Sequence, residues 1–190
     1  MAIKAYRPTT PAQRQKTTQD FDQITTRKPL KSLVLSKKQQ AGKNNSGRIT
    51  VRHRGGGVKR HYRILTHNLP AGLTLKVMEI EYDPNRSARI ARVMDQNGVY
   101  YYILADTNME KGSEIKTGTE APIETSNRLP LDQIPVGTQI YAIELTPGRG
   151  AQMVRAAGAS AQLMAKEDGY ATIRMPSGEM RKVLVACQAN

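Results

Sequence analysis

Catalysis needs a nucleophile, a base or a metal ligand held beside partners, and this sequence is sparing with all three: His53, His61, His67 and Cys187, with no Trp. The histidines are spaced by 8 and 6 residues, which fits no metal-ligand signature, and no His-Glu-x-x-His occurs. One cysteine excludes an intrachain disulfide and a four-cysteine zinc site, and suits a reducing compartment, cytosol or organelle interior. Gly42-Lys-Asn-Asn-Ser-Gly47-Arg48 lacks the Lys-Ser/Thr ending of a phosphate-cradling loop. Gly148-Arg149-Gly150 is followed by Met153 where a dinucleotide fingerprint needs glycine. Both read as turns. The carboxylate pairs Glu79/Glu81 and Glu167/Asp168 read as solvated side chains on a strand face and a hairpin loop. The expectation is a chain with no enzyme activity, cofactor, metal or small-molecule substrate.

The chemistry that is present lies in Gly47-Arg-Ile-Thr-Val-Arg-His-Arg-Gly-Gly-Gly-Val-Lys-Arg-His-Tyr-Arg63. Arg48, Arg52, Arg54, Lys59, Arg60 and Arg63 interleave there with His53, His61 and the consecutive Gly55, Gly56 and Gly57. A guanidinium fork takes a phosphate through two hydrogen bonds and also stacks on a base. Bare glycine backbone lets a sugar-phosphate chain come close. A flexible hinge has no use for such cation density, so the segment reads as nucleic-acid-binding. The polar turn of Lys43, Asn44 and Asn45 joins it as a candidate contact.

Charge shows where these groups sit. Residues 1–63 carry 16 Lys/Arg against 2 acids, whereas residues 64–190 carry 13 against 14. The first third has few large apolar residues in any sustained period, so it reads as an extended basic arm over 1–61, ordered by what it binds. From Tyr62 onward, short alternating runs separated by turn residues signal small all-β barrels. Leu73, Leu75 and Val77 share a face before a phase slip at Met78, which predicts a β-bulge. Two hairpins are legible, 89–94 with 99–104 around Asn97-Gly98, and 161–165 with 170–174 around Asp168-Gly169; Pro176-Ser177-Gly178 then turns the chain into 180–185. Leu129-Pro-Leu-Asp-Gln-Ile-Pro-Val-Gly137 places a domain junction near 127, giving barrels over 62–126 and 127–190. The longest stretch free of Asp, Glu, Lys and Arg is Ile64–Leu75, too short to cross a membrane.

GRITVRHRGGGVKRHYRI and EYDPNRSARIA resemble the ribosomal protein L-two family of the large subunit, bacterial or organellar type. YYILA at 101–105, LPLDQIPVGT at 129–138, PGRGAQMVRAAGASAQL at 147–163 and PSGEMRKV at 176–183 extend the resemblance in order. It implies an OB-fold barrel followed by an SH3-like barrel behind the basic arm, bound to large-subunit ribosomal RNA beside neighbouring ribosomal proteins in a cytoplasmic or organellar ribosome. An obligate homo-oligomer is not expected. The family also implies a basic extension beyond the second barrel, which the sequence to Asn190 does not contain, and no role of that extension is carried over.

Further candidate contacts follow. Asp83-Pro84-Asn85 is a turn by its own chemistry, from which Arg86 and Arg89 project at the barrel rim, unless Arg86 merely pairs with Asp83. Arg149 and Arg155 flank small residues that suit an RNA groove or core packing. Ser177, Arg181 and Lys182 could grip phosphates, with Met180, Val183 and Val185 expected inside the barrel. One of Tyr100–Tyr102 must point inward. The rival expectation is a free regulatory module that grips single-stranded RNA.

Overall fold

The computed structural model describes residues 3–190; the first two residues of the expected arm lie outside it. Fourteen short strands and one 3-10 turn make the described residues all-β, as expected. In the arm, β1 (Ile3–Ala5) pairs with β2 (Thr17–Gln19), and β3 (Val34–Ser36), just after the 3-10 turn Lys31–Leu33, pairs with β4 (His61–Arg63). The basic segment is therefore the loop between two paired strands.

The first barrel is built on the sheet β7-β6-β5-β8, with β5 at Thr74–Glu81, β6 at Ile90–Met94, β7 at Tyr100–Leu104 and β8 at Glu114–Lys116. The register of β5 on β6 shifts between Val77 and Glu79, so the bulge falls on Met78 as the phase slip predicts. Asp95 Oδ1 accepts from the Asn97 and Val99 amides at 2.8 and 2.9 Å, and Gly98 takes φ +81°, which closes the first hairpin where the sequence places it. Leu75, Val77, Val93 and Ile115 fill this core.

β9 (Leu129–Pro130) pairs with β14 (Gln188–Ala189), and β10 (Gln139–Ile140), β11 (Ala161–Glu167), β12 (Tyr170–Arg174) and β13 (Met180–Leu184) form the second sheet in chain order. Asp168 and Gly169 at φ +50° and +77° supply the tight second hairpin. Leu131, Ile140, Ile143, Leu163 and Ile173 fill its core. Met180 departs from expectation: it pairs with Arg174 and lies exposed, because Ala171, Ile173 and Val183 take the inward face and alternation sends Met180 outward.

The outer face of the first sheet is covered as well. Ile90, Tyr102 and Leu104 pack with Leu65, with Ala142 and Ala151 of the second barrel, and with Leu30 and Leu33 of the arm. Each fully buried Leu or Ile contributes about 1.5–3 kcal/mol relative to exposure, so this seam binds the barrels and the arm together. The arm thus departs from the reading of a leader ordered only by a partner. The Thr25 amide donates to the Ile80 carbonyl at 3.1 Å, and the Leu30 amide to the Tyr102 hydroxyl at 2.8 Å. That hydroxyl donates in turn to Glu81 Oε2 at 2.7 Å. A handful of apolar residues suffices because a barrel face receives them.

Candidate nucleic-acid interface

Every residue from Lys43 to Tyr62 is exposed, and the stretch holds Lys43, Arg48, Arg52, Arg54, Lys59 and Arg60 with no carboxylate. Val58 among them is 86 % exposed. The loop keeps its shape through its own main chain. The Thr50 and Val51 amides donate to the Gly42 carbonyl at 2.9 and 3.2 Å, and the Asn44 amide donates to the Arg48 carbonyl at 2.9 Å. Asn44 Oδ1 accepts from the Arg48 amide at 3.0 Å and from Ser46 Oγ at 2.7 Å, so its side-chain oxygen organises the turn, while neighbouring Asn45 is exposed. His53 holds a left-handed φ of +61°.

The glycines divide by cause. Gly42 has φ +74°, and a Cβ there would sit 2.1 Å from the Val51 carbonyl oxygen. Gly55 has φ +66°. Gly57 has no left-handed φ and nothing within 4 Å of where its Cβ would stand, while at Gly56 the only neighbour is Ala41 Cβ at 3.3 Å. Gly42 and Gly55 answer to the chain's own conformation; Gly57 does not.

The loop returns to the first barrel beside the 83–87 turn. Arg60 Nη1 donates to the Pro84 carbonyl at 3.0 Å, and Asn85 Nδ2 donates to the His61 carbonyl at 2.7 Å. Buried Asp83 holds the turn, accepting from the Asn85 amide at 2.9 Å and pairing with Arg86 Nε at 2.7 Å. Of the two readings of Arg86, the ion pair is present, and the side chain is partly buried, 18 % exposed. Arg63 and Arg89 turn inward, each 8 % exposed. Arg63 Nη1 donates to the His61 carbonyl at 2.9 Å. The expectation that Arg89 projects from the rim is corrected: its Nη2 donates to the Asp20 carbonyl at 2.7 Å and its guanidinium stacks on Phe21, because Asp20 and Phe21 of the arm cover the residue that leads into β6.

The second barrel brings its own loop to the same edge. Arg128 and Glu144 form a buried pair at 3.2 Å. Arg128 Nε also donates to Gln188 Oε1 at 2.9 Å and its Nη1 to Asn190 Oδ1 at 2.9 Å, while Glu144 Oε1 accepts from the Gly150 amide at 2.9 Å. A buried pair offsets its desolvation only with such extra hydrogen bonds. Gly150, at φ +78°, lies against the barrel connection: a Cβ there would stand 2.8 Å from the His67 carbonyl oxygen. The Ala151 amide donates to that oxygen at 3.1 Å, and Asn68 Nδ2 donates to the Gly148 carbonyl at 2.8 Å. Arg149 and Arg155 stand exposed on this loop, and the Ala157 amide donates to Ser87 Oγ at 3.2 Å. Burial, then Arg155, Arg86 and Arg128, push the His67 pKa down to about 4.

The contacts therefore join Arg60 and His61, the 83–87 turn and the 148–157 loop into one ridge across both barrels. Ser177 is exposed on a separate turn, and Arg181 and Lys182 are exposed on β13 just beyond it, with Arg181 Nε 3.0 Å from Glu179. Of the tyrosine run, Tyr101 packs against the barrel core, while Tyr102 is fully buried on the opposite face, in the seam with the arm and the second barrel. The sequence reading misses Arg128 and Glu144. A signal existed: Glu144 is the one charged residue in 133–148, and a lone charge in such a run must be solvated or paired.

Two barrels sharing a seam, fronted by a ridge of exposed guanidinium groups and bare main chain, define a protein of the nucleic-acid-binding class. Residues 30–117 match the family described as Ribosomal Proteins L2, RNA binding N-terminal domain, and residues 124–190 match Ribosomal Proteins L2, C-terminal domain. The chain belongs to the ribosomal L2 family, the structural, rRNA-binding proteins of the large ribosomal subunit, with an OB-fold barrel followed by an SH3-like barrel. Its place is the ribosome, among rRNA and ribosomal proteins.

Proposed function

We propose that the ridge is the RNA contact, with the arm to residue 61 supplying the loop and the barrels over 62–126 and 127–190 supplying its rigid base. Lys43, Arg48, Arg52, Arg54, Lys59 and Arg60 neutralise phosphates, Gly56 and Gly57 lie against the sugar-phosphate chain, and Arg86, Arg149 and Arg155 continue the track. Ser177, Arg181 and Lys182 meet a second stretch of RNA. The observation that carries this reading is Gly57, a glycine that neither φ nor any neighbour requires in a loop of uncompensated cations. Structured RNA is held by shape and phosphate contacts, which suits bare backbone and guanidinium forks. The protein works as architecture, without a catalytic step of its own. Cys187, buried and unpaired, suits a ribosome in a reducing compartment, cytosol or organelle interior.

The test is binding of the full chain to a structured large-subunit rRNA fragment over a salt series. Arg52→Ala and Arg54→Ala should each lower the slope of log affinity against log salt by about 0.7–0.9. An unchanged slope would overturn the assignment, and equal affinity for an unstructured competitor would favour the single-strand module instead.

A further inference from the structure

Arg89, like Arg63, is a candidate contact sealed inside the protein, and it is the one that faces the aromatic rings of Phe21 and Tyr82. It is 8 % exposed, and its Nε and Nη1 are buried without hydrogen-bond partners. What surrounds it belongs to the arm as much as to the barrel. Its guanidinium carbon lies 4.9 Å from the Phe21 ring centre and 5.8 Å from that of Tyr82, and the two rings meet edge to face at 5.6 Å and 82°. Nη2 donates to the Asp20 carbonyl at 2.7 Å. A buried guanidinium is costly unless something offsets its lost hydration, and two aromatic faces with one carbonyl provide that here. No phosphate reaches it while Phe21 is seated.

We propose, building on the RNA reading above, that Arg89 is a positioning residue for RNA binding: it pins Asp20 and Phe21 of the arm to the first barrel and so fixes the path on which the basic loop departs. The pin works with its neighbours in sequence. Four residues on, the Thr25 amide joins the Ile80 carbonyl and Thr25 Oγ1 accepts from the Ile80 amide at 2.9 Å. Leu30 is then bound to Tyr102, and Val34–Ser36 pair with the strand that ends the basic loop. Loss of the pin frees the arm's first contact and leaves the loop's cations untouched. Asp20 and Phe21 also precede residue 30, where the family match begins, so the pin ties a segment outside the match to a residue within it.

The experiment uses the full chain with Arg89→Ala, Arg89→Lys and Phe21→Ala; half-exposed Phe21 gives a variant that leaves both cores intact. Arg89→Ala should weaken binding to the rRNA fragment by about three- to tenfold, the loss expected when an unpinned arm is competent only about a tenth to a third of the time. The salt slope should stay at the wild-type value, and hydrogen exchange should speed up at Ile24 and Thr25. Phe21→Ala should do the same, and Arg89→Lys, which keeps a cation on the rings, should restore part of the affinity. A slope lowered by about 0.7–0.9 would make Arg89 a phosphate ligand and overturn the proposal. So would unchanged exchange in either alanine variant, or faster exchange with unchanged affinity. If Arg52→Ala and Arg54→Ala also leave the slope untouched, the RNA reading itself fails, which is a separate result.

Discussion

The two cationic loops of the ridge are held in opposite ways. The loop from Lys43 to Tyr62 is exposed throughout and rests on its own main-chain bonds, chiefly those onto the Gly42 carbonyl, with a root at Pro84 and Asn85. The loop carrying Arg149 and Arg155 grows out of a core, with Glu144 gripping the Gly150 amide and Arg128 gripping Glu144 and the last residues of the chain. The first can adapt to a partner at an entropic cost on binding; the second is set before the partner arrives. Charge alone does not separate them. What lies beneath the charge does.

The sharpest way to break this contrast is Arg128→Ala. Stranding Glu144 in the interior should cost about 3–5 kcal/mol in chemical denaturation, whereas the joint change Arg128→Met with Glu144→Leu should cost less than either single change. A loss below about 1 kcal/mol would mean the second loop is not core-held. Next come the glycines. Gly42→Ala, strained at φ +74° and clashing with the Val51 carbonyl, should cost about 1 kcal/mol or more and weaken RNA binding. Gly57→Ala should leave stability within about 0.5 kcal/mol and still weaken RNA binding, because only a partner meets the new methyl group. Equal effects of the two on stability would erase the distinction.

The smallest effect concerns His67, beneath the Gly150 loop. Its folded pKa of about 4 lies below the ordinary 6.5, so the unfolded chain binds the extra proton first as pH falls. The stability this neutral side chain supports is complete above about pH 6.5 and is lost as pH falls to about 4. His67→Gln should flatten melting temperature against pH in that window. An unaltered profile would show that neither burial nor the surrounding guanidinium groups hold the histidine neutral in the folded chain.

The barrels were legible because their signals are local. Asn97-Gly98 and Asp168-Gly169 fix turns by backbone preference, and the phase of Leu73, Leu75 and Val77, lost at Met78, reveals the bulge there. The loop was legible through composition. What escaped were pairings across long separations. Nothing near Arg89 announces Phe21, nothing near Arg128 announces Glu144 beyond its isolation, and a cation in a basic protein is read as facing RNA by default. The arm looked too poor in apolar residues to fold because Leu30 and Leu33 count only once a barrel face receives them. The outward turn of Met180 follows from a register that the hairpin signals alone do not set.

Four of the five hydrogen bonds that join the ridge end on main-chain carbonyls, those of Pro84, His61, His67 and Gly148. A carbonyl stays wherever the peptide stays, whatever side chain is attached to it. The track is therefore drawn by the polymer, while its cations are fittings mounted along it. Arginines that make none of these bonds, such as Arg52 and Arg54, can be exchanged, and grip tuned, without redrawing the line that the nucleic acid follows.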